Sequence, residues 1–487
     1  MFDFLFLSFI LVPFIGSFFV FFPLSEDKVK KTILFFSMLT FFFNLVFWVF
    51  FDNSFGGFQF IINFPWFFGS NSFLSFGLDG ISIFFTLLTT FLIPLCLLAS
   101  WDFKPNKLSS SYFFSLFLLI EGIILVVFST LNLFIFYIFF EAVLIPIFFI
   151  IGIWGSRERK IRAAYLFFLY TLLGSLFMLF ALLVIYMEIG SLDFSCLLQN
   201  TFSFKKQQLL WVAFFFSFAS KVPMVPIHIW LPEAHVEAPT AGSVLLAGVL
   251  LKLGTYGFIR FSLPLFPLAC FYFRPLVFTI ACIAIVYTSI TAFRQIDIKR
   301  VIAYASVAHI NITLIGLFSF TQAGVEGALF QILSHGVVSG ALFLCIGVLY
   351  DRHHTRLIRY YGGLCQTIPL FSFFFLAFTM GNIALPGTSS FVGEFLILAG
   401  IIESNFIVIF FSATGIILGG TYSLWLLNRV IYGNIKTNFI LFSQDVDKKE
   451  FYCLFPLFMI ILFIGFFPEI FLQSMRSSIS LLLQYMI

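Results

Sequence analysis

The chain has 487 residues, 61% of them hydrophobic and 10% charged, with a formal net charge of +4 and a mean hydropathy of +1.10. Soluble domains carry about 25% charged residues, so a water-soluble core is excluded and lipid is the expected solvent. At about 20 apolar residues per crossing, there is room for more than ten spans in one polytopic domain.

Apolar runs separated by charged or turn-rich clusters predict about fourteen spans. The first three lie near residues 2–22, 32–51 and 77–100. Five follow near 112–129, 132–153, 162–187, 209–231 and 239–261, five more near 275–293, 300–319, 323–350, 366–402 and 405–429, and the last near 451–473. The seventh is interrupted by Pro223 and Pro226, and the overlong twelfth by "NIALPGTSS" at 382–390. The two interruptions are five spans apart. A repeat with an odd number of helices reverses its topology, and broken helices at matching positions mark inverted-repeat transporters. The expected fold is therefore an all-α polytopic membrane protein of about 14 transmembrane helices. Spans 4–8 and 9–13 would form two five-helix inverted repeats, with discontinuous helices 7 and 12. The corresponding units are 1–110 (helices 1–3), 111–262 (first repeat), 263–432 (second repeat) and 433–487 (a loop and helix 14).

Basic residues set the orientation. Nineteen of the 26 fall in odd-numbered loops, including Lys28, Lys104, Lys107, Arg157, Lys299, Arg352 and Lys449. Five (Lys205, Lys206, Arg260, Arg274 and Arg476) fall in even loops or the tail, while Lys221 and Lys252 fall inside spans. Both termini are then expected on the side opposite "GSRERKIR" and "YDRHHTRLIRYYGG". The N-terminal "MFDFLFLSFILVPF" has no basic n-region and no Arg/Ser-rich stretch, so neither a signal nor a transit peptide is expected. Phenylalanine stands at 80 residues. Its codons are AT-rich, which points to an organelle genome.

The seven cysteines are scattered without a C-x-x-C pair, and no G-x-G-x-x-G or Walker motif occurs. No nucleotide, flavin, metal or iron–sulfur site is expected on this chain. His228 and His235 with Glu233 and Glu237 have the residue types of a zinc site. Pro232 between them is expected to break the helical register, so a metal role is set aside.

Charges at mid-membrane cost roughly 2.5–3.5 kcal/mol each on insertion scales. Four are placed there: Glu141 in span 5, Lys221 just before the prolines of span 7, Lys252 in span 8 and Glu394 after the break in span 12. A protonated glutamate, a snorkelling lysine or a helix-capping acid would be the plainer explanation of each alone. A structural spacer would not account for all four. His309 and His335 in spans 10 and 11 add two titratable rings, although a lone intramembrane histidine often serves only as a helix contact. Burial disfavours the charged form of lysine and glutamate, and an opposite neighbour restores it. If Glu141 approaches Lys221, protonating Glu141 would free the proton of Lys221 for Lys252 and the histidines. Proline breaks expose backbone groups and leave space for water.

The stretches "FASKVPMVPIHIWLPEAHVEAPTAGSVLLAGVLLKLGTYGFIRF", "RQIDIKRVIAYASVAHIN", "LSHGVVSGALFLCIGVLYDRHHTRLIRYYGG" and "LPGTSSFVGEFLIL" resemble the antiporter-like subunit family of respiratory complex I, NADH:ubiquinone oxidoreductase, in its plant- and protist-type mitochondrial subunit 4 form. The match runs from about residue 110 to 432. The resemblance implies a membrane-arm subunit that moves protons, with Glu141 and Lys221 as the central pair, Lys252 between the halves, Glu394 on the outlet side, and His309 and His335 in the polar axis. It implies NADH, FMN, iron–sulfur clusters and ubiquinone on partner subunits, and none on this chain. It also implies subunit 2-like and subunit 5-like neighbours, lipid contacts with cardiolipin among them, no nucleic acid, and the mitochondrial inner membrane with both termini in the intermembrane space. The subunit 2 and 5 paralogues usually carry lysine where this chain has Glu394. The alternative is a subunit of a multi-subunit cation/proton antiporter of the same ancestry.

Overall fold

The computed structural model describes residues 2–22, 25–65, 73–103, 109–436 and 444–486. Lys104 and Lys107, counted above among the loop cations, lie outside these.

Among the described residues, twelve helices are long and apolar enough to cross a membrane. Spans 1–6 are Asp3–Phe21, Glu26–Val49, Ser82–Ala99, Ser110–Ser129, Leu133–Trp154 and Lys160–Ile189. Spans 8–11 are Thr240–Leu265, Pro267–Phe293, Ile298–Leu317 and Gln322–His353, and spans 13 and 14 are Phe406–Val430 and Lys448–Phe466. Two interrupted spans complete the fourteen. Span 7 is Phe204–Lys221, then a non-helical stretch and a 3₁₀ turn at Ile227–Ile229, then Trp230–Glu237. Span 12 is Pro369–Asn382 followed by Ser389–Ile402.

Both breaks have local causes. Pro223 and Pro226 lack the N–H that would continue span 7, and the Trp230 indole N–H instead donates to the Ser220 carbonyl at 2.9 Å. In span 12, Ala384 (φ 60°) and Gly387 (φ 94°), on either side of Pro386, turn the chain through left-handed geometry before the helix resumes at Ser389. Pro232 does not break register as expected from the sequence. It sits in the first turn of Trp230–Glu237, where a missing N–H costs nothing.

Span 8 departs most from the expected regular helix. It contains two π-helical segments, Leu246–Leu250 and Phe258–Ser262, and continues to Leu265. Arg260, at the edge of the expected span and counted above with the loop cations, lies inside the protein. The residue is 6% exposed, and its Nη2 lies 2.6 Å from Asp79 Oδ1. The even-loop cation count therefore falls by one.

Two elements were absent from the sequence reading. A β-hairpin pairs Gln59–Pro65 with Phe73–Leu78 in antiparallel register. After span 14, an amphipathic helix runs over Glu469–Gln484 and buries Leu472, Met475, Ile479 and Leu482 on one stripe. It rests on the start of span 3, where a Cβ at Gly80 would stand 2.0 Å from the Ser474 carbonyl oxygen. Backbone cannot yield there as a side chain would. Gly80→Val is expected to lift this helix and cost about 1–3 kcal/mol, read as a lowered midpoint in thermal unfolding of the detergent-solubilised complex. An unchanged midpoint would mean the contact is slack.

Candidate functional site

The residues singled out from the sequence gather into two clusters. The first joins spans 5 and 7. Span 5 bends at Val143, between helices Leu133–Ala142 and Leu144–Trp154, just beyond Glu141 and before Pro146. Lys221 is the last residue of the first half of span 7 and is fully buried. Its Nζ donates to the Phe140 carbonyl, stands 3.4 Å from the centroid of the Phe140 ring and lies 3.8 Å from Glu141 Oε1. This last spacing is an ion pair without a hydrogen bond, and neither Glu141 oxygen receives a hydrogen bond from the protein. The lysine charge is thus held by one carbonyl, one aromatic face and one loosely paired carboxylate.

The second cluster joins spans 8, 10, 11 and 12. Lys252 follows the first π segment of span 8. Its Nζ donates to the Ala247 carbonyl at 2.5 Å and lies 2.8 Å from His335 Nδ1. A protonated lysine can only donate, so Nδ1 then accepts and the ring carries its hydrogen on Nε2. The His335 and His309 rings are 6.0 Å apart between centroids. His309 Nδ1 lies 3.0 Å from Glu394 Oε1, and Gln331 donates to the same oxygen at 3.0 Å. Glu394 sits one turn into the second half of span 12. At its start, the Ser334 hydroxyl lies 2.7 Å from both the Ser389 and Ser390 hydroxyls. Glycines permit the close approaches. A Cβ at Gly393 would meet the Gln331 backbone at 2.8 Å, and one at Gly254 would meet the Phe218 carbonyl at 2.9 Å.

Among the described residues, no hydrogen bond or ion pair joins Lys221 directly to Lys252. The apolar packing of Phe218 and Val222 against Gly254 and Gly257 lies between spans 7 and 8.

The structure adds participants that the sequence reading passed over. His235, set aside with the metal reading, is fully buried and stacks on Phe343 at 4.7 Å and 6°, with neither ring nitrogen hydrogen-bonded to protein. Ser243 donates to the His235 carbonyl, while Lys299, 2% exposed, donates to the Ala238 carbonyl at 2.9 Å and to Ser243 at 3.1 Å. A lysine at a helix start reads as a loop cation, so only tertiary packing could reveal its burial. Glu121 in span 4 is also fully buried, and the signal was there: a lone carboxylate in "FLLIEGIIL". On the basic-loop side, a cavity of about 1240 Å³ opens among the ends of spans 3, 5, 8, 11 and 14, lined by Ser156, Thr240, Asp351, Arg352 and Glu450 among others. In the loop after span 11, the buried Arg356 guanidinium donates to the Val236 carbonyl and reaches Asp297 at 4.0 Å. Burial lowers its pKa while Asp297 pulls it back up.

Residues 130–419 match a family model described as NADH:quinone oxidoreductase/Mrp antiporter, transmembrane. The chain is 53% identical over 478 residues to NADH-ubiquinone oxidoreductase chain 4 of Marchantia polymorpha, covering 98% of this chain and 96% of the relative. It is 54% identical over 484 residues to the protein of the same name from Prototheca wickerhamii, covering 96% and 92%. Among solved structures, a chain in respiratory complex I from Thermus thermophilus with bound NADH superposes with a TM-score of 0.90 at 28% identity, covering 100% of both chains.

Proposed function

Because the chain belongs to the NADH:quinone oxidoreductase/Mrp antiporter transmembrane family, in its NADH-ubiquinone oxidoreductase chain 4 group, we propose that Glu141, Lys221, Lys252, His335, His309 and Glu394 form its proton path. The chain is a proton-translocating membrane-arm subunit of respiratory complex I, part of an H⁺-translocating NADH:ubiquinone reductase. The single observation that carries the path is the contact series Lys252–His335–His309–Glu394, in which titratable groups from four spans meet in the protein interior.

In this reading Lys221 stays charged while Glu141 is ionised 3.8 Å away. A proton arriving on Glu141 removes that support, and Lys221 releases its own toward Lys252 across the packed interval, by way of water. Lys252 passes it through His335 and His309 to Glu394, beside the break in span 12. Thr240 lines the basic-side cavity, and Ser243, one turn further along span 8, bonds to Lys299 and to the His235 carbonyl; in this reading these groups offer reloading from that face. Moving one charge across about 150 mV requires roughly 3.5 kcal/mol. That work comes from quinone reduction on partner subunits, which carry the NADH, FMN, iron–sulfur and ubiquinone sites. We further assign the chain to the mitochondrial inner membrane with both termini in the intermembrane space, between subunit 2-like and subunit 5-like neighbours, with spans 4–8 and 9–13 as its two inverted units.

The family model spans both complex I subunits and cation/proton antiporters. Affinity purification of the tagged chain from mild detergent separates them. Flavin and iron–sulfur spectra are expected to co-purify in stoichiometric amount. A complex without them that still exchanges protons for sodium would overturn the complex I reading.

A further inference from the structure

Glu121 lies in the middle of span 4, fully buried, and takes no part in the contact series above. Its Oε1 is 2.5 Å from the Thr40 hydroxyl of span 2. That same hydroxyl lies 2.8 Å from the Ser37 carbonyl oxygen. A threonine hydroxyl has one hydrogen, and a backbone carbonyl can only accept. If Glu121 were ionised it too could only accept, and one hydrogen would have to serve two acceptors at short range. With the hydrogen on Glu121, each contact has its own: the carboxylic acid donates to Thr40, and Thr40 donates to Ser37.

Two further observations agree. Glu121 Oε2 is buried and has no hydrogen-bond partner. The carbonyl oxygen of a neutral acid tolerates this far better than one half of a carboxylate does. Glu121 also enters none of the ion pairs among the described residues, whereas Glu141 and Glu394 each face a basic side chain. One turn along span 2 from Thr40, Asn44 donates to the Thr90 hydroxyl of span 3 at 3.1 Å. Span 2 is therefore bonded on one side to span 4 and on another to span 3.

We propose that Glu121 is a permanently protonated carboxylic acid whose O–H, donated to Thr40, fastens span 2 to span 4 and carries no transported proton. It is a positioning residue with a proton that stays in place through turnover. This stands independently of the order of transfer along the path proposed above.

The test compares infrared spectra and proton pumping of the intact complex carrying Glu121→Gln or Thr40→Val with those of the parent. Glutamine keeps a donor toward Thr40, so Glu121→Gln is expected to assemble and to pump within about twofold of the parent. The difference spectrum should show the loss of one protonated-carboxyl band from neutral to mildly alkaline pH. Thr40→Val removes the acceptor and should move that band to higher frequency, and this reading holds even if Glu121→Gln assembles poorly. Two results would overturn the proposal. One is a difference spectrum that loses a carboxylate band instead. The other is a Glu121→Gln complex that assembles fully but pumps no better than one altered at Glu141.

Discussion

Lys221→Arg is expected to give a complex that assembles yet loses coupled NADH–quinone turnover by about 100-fold or more. Arginine keeps the positive charge beside Glu141 and can stack on Phe140, so the electrostatic support of the two broken helix ends is retained. What it cannot do is release a proton, because a guanidinium does not deprotonate in proteins. Lys221→Met tests the complementary point. It removes the charge as well and leaves the Glu141 carboxyl without its counter-ion. Breaking a buried pair costs about 3–5 kcal/mol, and 3 kcal/mol on a barrier is already more than 100-fold. The lower end applies, since the Glu141 side chain is 15% exposed. Both variants are measured by proton pumping in proteoliposomes, with assembly followed on native gels. Pumping at the parental rate in Lys221→Arg would show that position 221 need not titrate.

The second large effect is expected at Lys252. Lys252→Met removes the first member of the Lys252–His335–His309–Glu394 series and leaves His335 Nδ1 without its donor. Hydrogen bonds to charged groups contribute about 1.5–3 kcal/mol, which corresponds to a loss of about 10- to 150-fold in coupled turnover. Glu394→Gln keeps an oxygen for Gln331 and His309 but cannot take up the proton, so a loss of the same order is expected. A greater loss at Glu394 than at Lys252 would place the controlling step at the outlet.

The spans were legible in the sequence because apolar length and loop charge carry their signal residue by residue. The breaks in spans 7 and 12 were legible because proline and glycine act locally. Lys252 and Glu394 could be read as buried from their neighbours in the chain, but their partners could not. That His335 meets Lys252, and His309 meets Glu394, depends on how four helices pack. The π segments of span 8 have no compositional mark, and the burial of Arg260 at the edge of the expected span depends on its pairing with Asp79, far away in the chain. Glu469–Gln484 was lost for a different reason. Its polar face lowers its hydropathy, so a scan for apolar runs merged its start with span 14 and passed over the rest. Glu121 is as readable in the sequence as Glu141, a single carboxylate within an apolar run, but its pairing with Thr40 of span 2 depends on packing.

The first π segment also sets a phase. Ser243 and Lys252 are nine residues apart, which in a regular α-helix at about 100° per residue puts them on opposite sides of the axis. One wide turn absorbs about one residue of that advance and brings them to within about 80° of each other. Ser243 can then meet Lys299 while Lys252 meets His335. Deleting a single residue between 246 and 250 would remove the wide turn and keep the two groups about 80° apart, whereas straightening the turn at its present length would swing them to opposite sides of the axis. An inserted residue, by contrast, would rotate Lys252 by about 100° relative to Ser243 and carry it away from His335.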